Sequence, residues 1–215
     1  MNRENSMRQR KIILASASPR RRELMQQIGL DFEIRVSNVE EKVTTTVPCE
    51  VVQELSRQKA EAVAELVWSD ERALPEETLV LGADTIVACD GTILGKPKDE
   101  GDAKQMLQRL SGRAHEVYTG VTFVYRDENG RRKSHSFYEC TRVRFAEMSL
   151  TEIEEYVATK DPLDKAGAYG IQGLCARYIT GIEGDYNNVV GLPVGRVYQE
   201  LKKLEEDSYV SGCNF

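Results

Sequence analysis

The chain has 215 residues, a formal net charge of −6, 40% hydrophobic residues and 30% charged residues. That length is enough for one large domain, or for two small lobes around a shared cleft, with a buried core. The acidic balance argues against a broad nucleic-acid interface, and no apolar run approaches the roughly 18 residues of a membrane span.

The start, MNRENSMRQRKIILAS, is basic, and its apolar stretch is only Ile12 to Ala15, too short for a secretory leader. A cytoplasmic protein is the expectation. Cys49, Cys89, Cys140, Cys175 and Cys213 are odd in number and form no CxxC pair, so they read as free thiols. His115 and His135 are the sole histidines, which disfavours a His-rich zinc site and a His-based nucleophilic triad. Any metal here is expected to be a hard ion held by carboxylates and phosphates.

Residues 1–10 are polar and read as a loose extension. Lys11–Ala15 predicts a short buried strand. Ser18 and Pro19 then mark a helix start, Leu24, Met25 and Ile28 its apolar stripe, and Gly29 its stop. Phe32–Val36 predicts a strand. A helix follows over about Cys49–Val67, with Val52, Leu55, Ala62, Val63 and Leu66 as its apolar face. Leu79–Cys89 is strand-like, Asp90-Gly91 a hairpin turn and Thr92–Leu94 the return. Asp99–Leu110 predicts a helix with Ala103, Met106, Leu107 and Leu110 inward. Val117–Tyr125 and Ser134–Phe145 read as long strands joined at Asp127–Gly130. Ser149 and Glu152 form a capping box for a helix to about Ala158. Residues 161–173 are glycine-rich loop, and Arg177–Ile182 predicts a strand. Asp185, Asn187 and Asn188 read as turn residues. A last helix opens at Pro193 with Val194, Val197, Tyr198, Leu201 and Leu204 on one face, and the tail from Glu205 reads as frayed. Mixed strands and helices with hairpins among them indicate an α/β fold with a sheet of mixed direction.

Five features stand out chemically. Arg20, Arg21 and Arg22 crowd the first turn of a helix, where the dipole favours anions. They make either a phosphate seat, with Ser16 and Ser18 as added donors, or a solvated basic turn. Lys59 interrupts an apolar stripe, so it either snorkels outward or points into a polar cleft. Asp84 follows the apolar run Thr78–Ala83, a place where an unpaired charge is costly and where carboxylates bind metal, act as bases or cap a turn. Gly91–Pro97 is not a phosphate-binding P-loop, because three residues separate its glycines and proline follows Lys96. Lys96 remains a candidate lone phosphate ligand. Asp164, Lys165 and Gln172 sit beside Gly167, Gly170 and Gly173, where backbone can approach a ligand closely. Together these residues make separated acids (Glu41, Asp84, Asp164) and separated cations (Arg20, Arg21, Lys59, Lys96, Lys165), an inventory suited to metal-assisted attack on a polyphosphate.

The same residues resemble a known family. Ser16-Ala-Ser18-Pro-Arg20-Arg21 resembles the SxSPRR signature of Maf proteins. Further blocks occur in that family's order: Glu40-Glu41, Arg57-Gln-Lys59-Ala, Gly82-Ala-Asp84-Thr85, Lys96-Pro97, Leu110-Ser-Gly112, Asp164-Lys165-Ala-Gly, Gly170-Ile-Gln172-Gly173 and Asn188-Val-Val-Gly-Leu-Pro193. The likeness covers 11–204 and leaves 1–10 and 205–215 as flexible ends. It implies a mixed, elongated sheet with flanking helices and a cleft between two lobes, related to inosine triphosphate pyrophosphatases. It also implies hydrolysis of a nucleoside triphosphate to the monophosphate and pyrophosphate, and a homodimer. Arg20, Thr85 and Gln172 resemble the branch that favours dTTP and UTP rather than the one that prefers 7-methyl-GTP. Where the family often has Glu before Lys-Pro, this chain has Gly95.

The combined expectation is a divalent cation, Mg²⁺ or Mn²⁺, held by Glu41 and Asp84 with the triphosphate. Asp84 takes a proton from the attacking water. Arg20 or Arg21, Lys59 and Lys96 stabilise phosphate charge. Ser16, Ser18, Asp164 and Lys165 complete substrate binding, and Thr85 and Gln172 read the pyrimidine. The rival readings are a non-catalytic nucleotide-binding module tied to cell division and a general phosphatase or nucleic-acid-processing enzyme.

Overall fold

The computed structural model describes residues 10–69 and 78–211. Most of the expected loose N-terminus, Cys213 and the last residues of the expected tail lie outside them.

Strand β1 (Lys11–Leu14) leads into helix α1 (Pro19–Gln27), strand β2 (Phe32–Ile34), helix α2 (Pro48–Trp68) and the long strand β3 (Thr78–Cys89). Next come β4 (Thr92–Leu94), α3 (Glu100–Leu110), β5 (Ala114–Arg126), β6 (Arg132–Phe145) and α4 (Leu150–Ala158). Three short 3-10 turns, at Asp161–Asp164, Ala166–Ala168 and Leu174–Tyr178, precede β7 (Ile179–Glu183), α5 (Tyr186–Val190) and α6 (Val194–Ser211). Among the described residues the strands form one mixed sheet in the order β2-β1-β3-β5-β6-β7, with β4 beside the far end of β3. β1 pairs in parallel with β2 and β3, and every other pairing is antiparallel. The α/β fold of mixed direction expected from the sequence is therefore the fold observed.

One edge of β3 positions the cleft. Thr78–Leu81 pairs with β1, and Val87–Cys89 pairs with β4. Between them, among the described residues, Gly82–Ile86 meets no strand on that edge, while β5 runs along the other edge from Leu79 to Ala88. The Ala15 N–H still reaches the Leu81 carbonyl at 2.8 Å, and the chain then turns away into α1. Asp84 and Thr85 lie in this gap.

Helix α2 packs almost flush on the sheet because two strand residues opposite it lack side chains. A Cβ at Gly82 would stand 2.8 Å from the Ala60 nitrogen, and one at Gly120 would stand 2.8 Å from the Gln53 nitrogen. The line of contact follows the small residues Ser56, Ala60 and Ala64 at four-residue spacing, flanked by Val52, Leu55 and Val63. This corrects the expected apolar face. Ala62 is only half-buried and Leu66 is 57% exposed, because the tight glycine contact rotates the helix toward its smallest side chains.

Two large apolar clusters flank the cleft. One gathers Leu14, Met25, Leu81, Phe123, Leu192 and Val197, and the other Leu107, Leu110, Val143, Phe145, Tyr156 and Tyr169. The hairpin turn at Asp90 and Gly91 forms with φ of 49° and 71°, and the Ser149–Glu152 capping box is complete. Four expectations shift. Arg177 and Tyr178 close a 3-10 turn, so the last strand starts at Ile179. Met106 is half-buried, at the margin of its helix's inner face. Tyr198 is 51% exposed, beside rather than on the inner stripe of α6. That helix also runs past Glu205 to Ser211, aided by a one-turn ion pair between Lys202 and Glu206. No described helix is long and apolar enough to cross a membrane.

Candidate active site

A cleft of about 1090 Å³ opens at the unpaired edge of β3, and all twelve residues expected from the sequence to act in catalysis or binding line it. Its charged lining is five cations (Arg20, Arg21, Lys59, Lys96, Lys165) against four carboxylates (Glu41, Asp84, Asp161, Asp164), a local positive excess on a protein of net charge −6. Such a site draws small anions without a basic surface.

The centre is Lys59. Its ammonium touches Asp84 Oδ1 and lies 3.2 Å from Glu41 Oε1. The flush seat of α2 on Gly82 makes this possible, since Lys59 directly precedes Ala60 and Asp84 lies two residues beyond Gly82. Lys59 and Asp84 are largely buried, whereas Glu41 is half-exposed on the segment between β2 and α2. Among the described residues no group of three or more His, Cys, Asp or Glu side chains is arranged to hold a metal ion.

The first turn of α1 separates its three arginines. Arg22 is exposed, and Arg20 points across the cleft mouth to Asp164 at 3.7 Å. Arg21 is buried. Its Nε donates to the Gly191 carbonyl (2.8 Å), one terminal nitrogen to Ser16 Oγ (3.1 Å) and the other to Thr85 Oγ1 (3.0 Å). All three acceptors are neutral. Burial lowers the Arg21 pKa from its ordinary value, partly opposed by Asp84. A desolvated cation with neutral partners leaves positive potential directed into the cleft. Ser18 occupies the N-cap position without a side-chain capping bond, while its N–H donates to Ser16 Oγ at 3.3 Å.

Thr85 continues a buried polar chain. Its hydroxyl lies 2.9 Å from Thr119 Oγ1, which donates to the Asn188 carbonyl at 3.1 Å. The Asn188 amide donates to the Val117 carbonyl and to Thr141 Oγ1, both at 2.9 Å. Asn188 thus clamps α5 to the sheet, a larger part than the turn role expected of it. Asp185 caps α5 by accepting from the Asn187 N–H, in keeping with that role.

On the opposite wall Lys165 donates to the Asp161 carbonyl (2.6 Å), Asp161 Oδ1 (2.9 Å) and Asp164 Oδ1 (2.7 Å). Burial raises the pKa values of both carboxyls, but the hydrogen bonds and charge of Lys165, joined by the Tyr156 hydroxyl at Asp161 and by the charge of Arg20 at Asp164, together outweigh it and leave each below its ordinary value. Asp161, which sequence reasoning missed, is the hub. It also accepts from the Tyr156 hydroxyl at 2.8 Å, and that hydroxyl accepts from the Gly170 N–H at 3.3 Å. Its one sequence signal is the Asp161-Pro162 turn. Tyr169 was missed as well; its hydroxyl meets the buried ring of His115 at 2.8 Å. Gln172 and Lys96 are exposed at the rim, and neither makes an ion pair or side-chain hydrogen bond among the described residues.

A cation-rich cleft with a lysine–carboxylate centre has counterparts among known proteins. The profile described as Maf-like protein matches residues 11–204. A curated relative from Agathobacter rectalis, named dTTP/UTP pyrophosphatase, is 56% identical over 201 residues, 91% of this chain and 98% of its own length. Relatives of the same name from Lachnoclostridium phytofermentans and Bacillus cytotoxicus are 46% and 51% identical, each over 91% of this chain and 96% of their own. Among solved structures, the Staphylococcus aureus Ham1 protein superposes with a TM-score of 0.47 at 16% identity, covering 79% of this chain and 80% of that one. The profile spans nearly all of the described residues and one relative shares more than half its positions: the chain belongs to the Maf-like protein family.

Proposed function

We propose that the protein hydrolyses dTTP and UTP to the monophosphate and pyrophosphate. The observation that carries this reading is the Lys59 ammonium set between Asp84 and Glu41 in a cleft with a surplus of cations. The names of the relatives, each a dTTP/UTP pyrophosphatase, point to the same substrates.

In this mechanism Asp84 accepts the proton of a water that attacks the α phosphorus in line with the leaving pyrophosphate. Lys59 holds Asp84 in place and, with Arg20 and Lys96, neutralises charge that grows on the phosphate oxygens. Arg21 orders Ser16, Thr85 and Gly191 and adds positive potential beneath the phosphates. Ser16 and Ser18, at the head of α1, complete the phosphate seat. Asp164 and Lys165 fix the facing wall. Gln172 and Thr85 face the pyrimidine, where an amide with both donors and acceptors suits an imide edge.

Glu41 and Asp84 are two hard oxygen donors with no third grouped with them among the described residues, which fits a Mg²⁺ or Mn²⁺ ion shared with substrate phosphates rather than caged by protein. When bound, the ion supplies charge neutralisation at the phosphates and eases loss of a proton from water. The same reading carries a cytoplasmic homodimer that acts on free nucleotides and not on nucleic acid.

The test is a product assay on purified protein with Mg²⁺ and with Mn²⁺, using dTTP, UTP, CTP, ATP, GTP and 7-methyl-GTP. Monophosphate and pyrophosphate from dTTP and UTP are expected. Release of single phosphates would identify a phosphatase, and triphosphate bound but uncut would identify a binding module.

A further inference from the structure

Residues 35–47 cross from β2 to α2 without a regular element and carry Glu41 to the cleft. They bury little. Val36, Val39, Val43 and Val47 are 43–53% exposed, so packing does not fix the path of this strap. Side chains of α2 do, among them Glu50, which accepts from the Thr45 hydroxyl at 2.6 Å, and two that grip backbone groups of the strap. The Gln58 carboxamide takes both backbone groups of Lys42: its Oε1 accepts from the Lys42 N–H at 2.9 Å, and its Nε2 donates to the Lys42 carbonyl at 2.6 Å. One helical turn earlier, Glu54 accepts from the Thr44 N–H at 2.9 Å and from the Thr44 hydroxyl.

The Gln58 pair resembles a rung between strands, with a side-chain amide in place of one backbone. Its position matters because Gln58 adjoins Lys59 on the helix and Lys42 adjoins Glu41 on the strap. One clamp therefore sets the separation of the two halves of the Glu41–Lys59 ion pair. We propose that Gln58 is a positioning residue. By holding the Lys42 backbone it fixes the Glu41 carboxylate beside Lys59 and Asp84, and so sets the affinity of the cleft for a divalent cation with a nucleoside triphosphate. The proposal rests on the pyrophosphatase reading above.

The test compares wild type, Gln58→Met, which keeps the length but loses both bonds, and Gln58→Glu, which keeps the acceptor for the Lys42 N–H but loses the donor. Three quantities are read: Mn²⁺ affinity by electron paramagnetic resonance with α,β-methylene-dTTP present, amide exchange at Lys42 by NMR, and kcat and KM for dTTP. Loss of a side chain that orients a metal ligand typically costs about 10-fold in affinity or more. Gln58→Met is expected to weaken Mn²⁺ by about that factor, to speed Lys42 exchange and to lower kcat, with an unchanged urea midpoint. Gln58→Glu is expected to fall between it and wild type. A Gln58→Met protein with wild-type Mn²⁺ affinity overturns the proposal, whatever its exchange rate. Wild-type protein that binds Mn²⁺ and the analogue but leaves dTTP intact overturns the pyrophosphatase reading and still lets Gln58 be judged. Wild-type protein that binds no Mn²⁺ overturns both.

Discussion

Gly82 lies so close beneath Ala60 that a Cβ on it would stand 2.8 Å from the Ala60 nitrogen and 2.9 Å from its Cβ. The neighbouring atoms are helix backbone, which cannot swing aside as a flexible side chain would. Gly82→Ala is therefore expected to lift α2 off the sheet and to destabilise the fold by about 1–3 kcal/mol, the usual range for overpacking. It also moves Lys59 from Asp84, so turnover drops more than stability alone explains. Urea unfolding together with kcat measured well below the unfolding midpoint checks both parts.

Asp84→Asn keeps size and one acceptor oxygen, so the protein is expected to fold. Without a base to take the water proton, kcat falls by about 10²–10⁴-fold. Circular dichroism confirms folding, and single-turnover hydrolysis of dTTP gives the rate. A folded variant with a near-wild-type rate would remove Asp84 as the base.

Arg21 serves three acceptors in three directions from one planar group, which a lysine cannot reproduce. Arg21→Lys is expected to leave buried acceptors of Ser16, Thr85 or Gly191 unmet, at a cost of about 2–3 kcal/mol. A midpoint of urea unfolding equal to that of wild type would contradict this.

Burial holds the His115 pKa at about 4, below its ordinary value of 6.5. The unfolded chain then binds the extra proton first as pH falls, so stability is full above about pH 6.5 and is lost on the way down to 4. The slope approaches 1.4 kcal/mol per pH unit, or about 3 kcal/mol in all. The depressed carboxyls of Asp161, Asp164 and Glu152 contribute stability that is lost only at lower pH, as each titrates below its unfolded value. Denaturant unfolding at pH 7 and pH 5 should show the loss in wild type and not in His115→Gln.

The residues that broke a local rule were the ones legible in the sequence. Lys59 stood out as a charge within an apolar stripe, Asp84 as an acid after an apolar run, and Arg20 to Arg22 as cations at the wrong end of a helix. What stayed hidden depended on contacts between distant parts of the chain. Arg21 finds Gly191 170 residues away, and nothing near either residue announces the pairing. Asp161 was one polar residue of a glycine-rich loop until Tyr156 and Lys165 met on it. Leu66 was assigned inward by periodicity, but the sheet offered glycines, and these favoured the Ser56–Ala60–Ala64 line. Gln58 resembled any polar helix residue because its partner is backbone on a segment with no pattern of its own.

β3, β5 and β6 each contribute side chains to both large apolar clusters: Leu81 and Val87 from β3, Phe123 and Val117 from β5, Phe137 and Val143 from β6. The halves of the molecule therefore share a spine, and parting them would require bending three hydrogen-bonded strands at once and tearing two packed interiors. The floor of the cleft behaves as an anvil. Admission of a nucleotide and departure of pyrophosphate fall to its rims, the strap over residues 35–47 and the glycine-rich loop over 161–173, so release rates should respond to changes in those two segments and hardly at all to changes deep in the sheet.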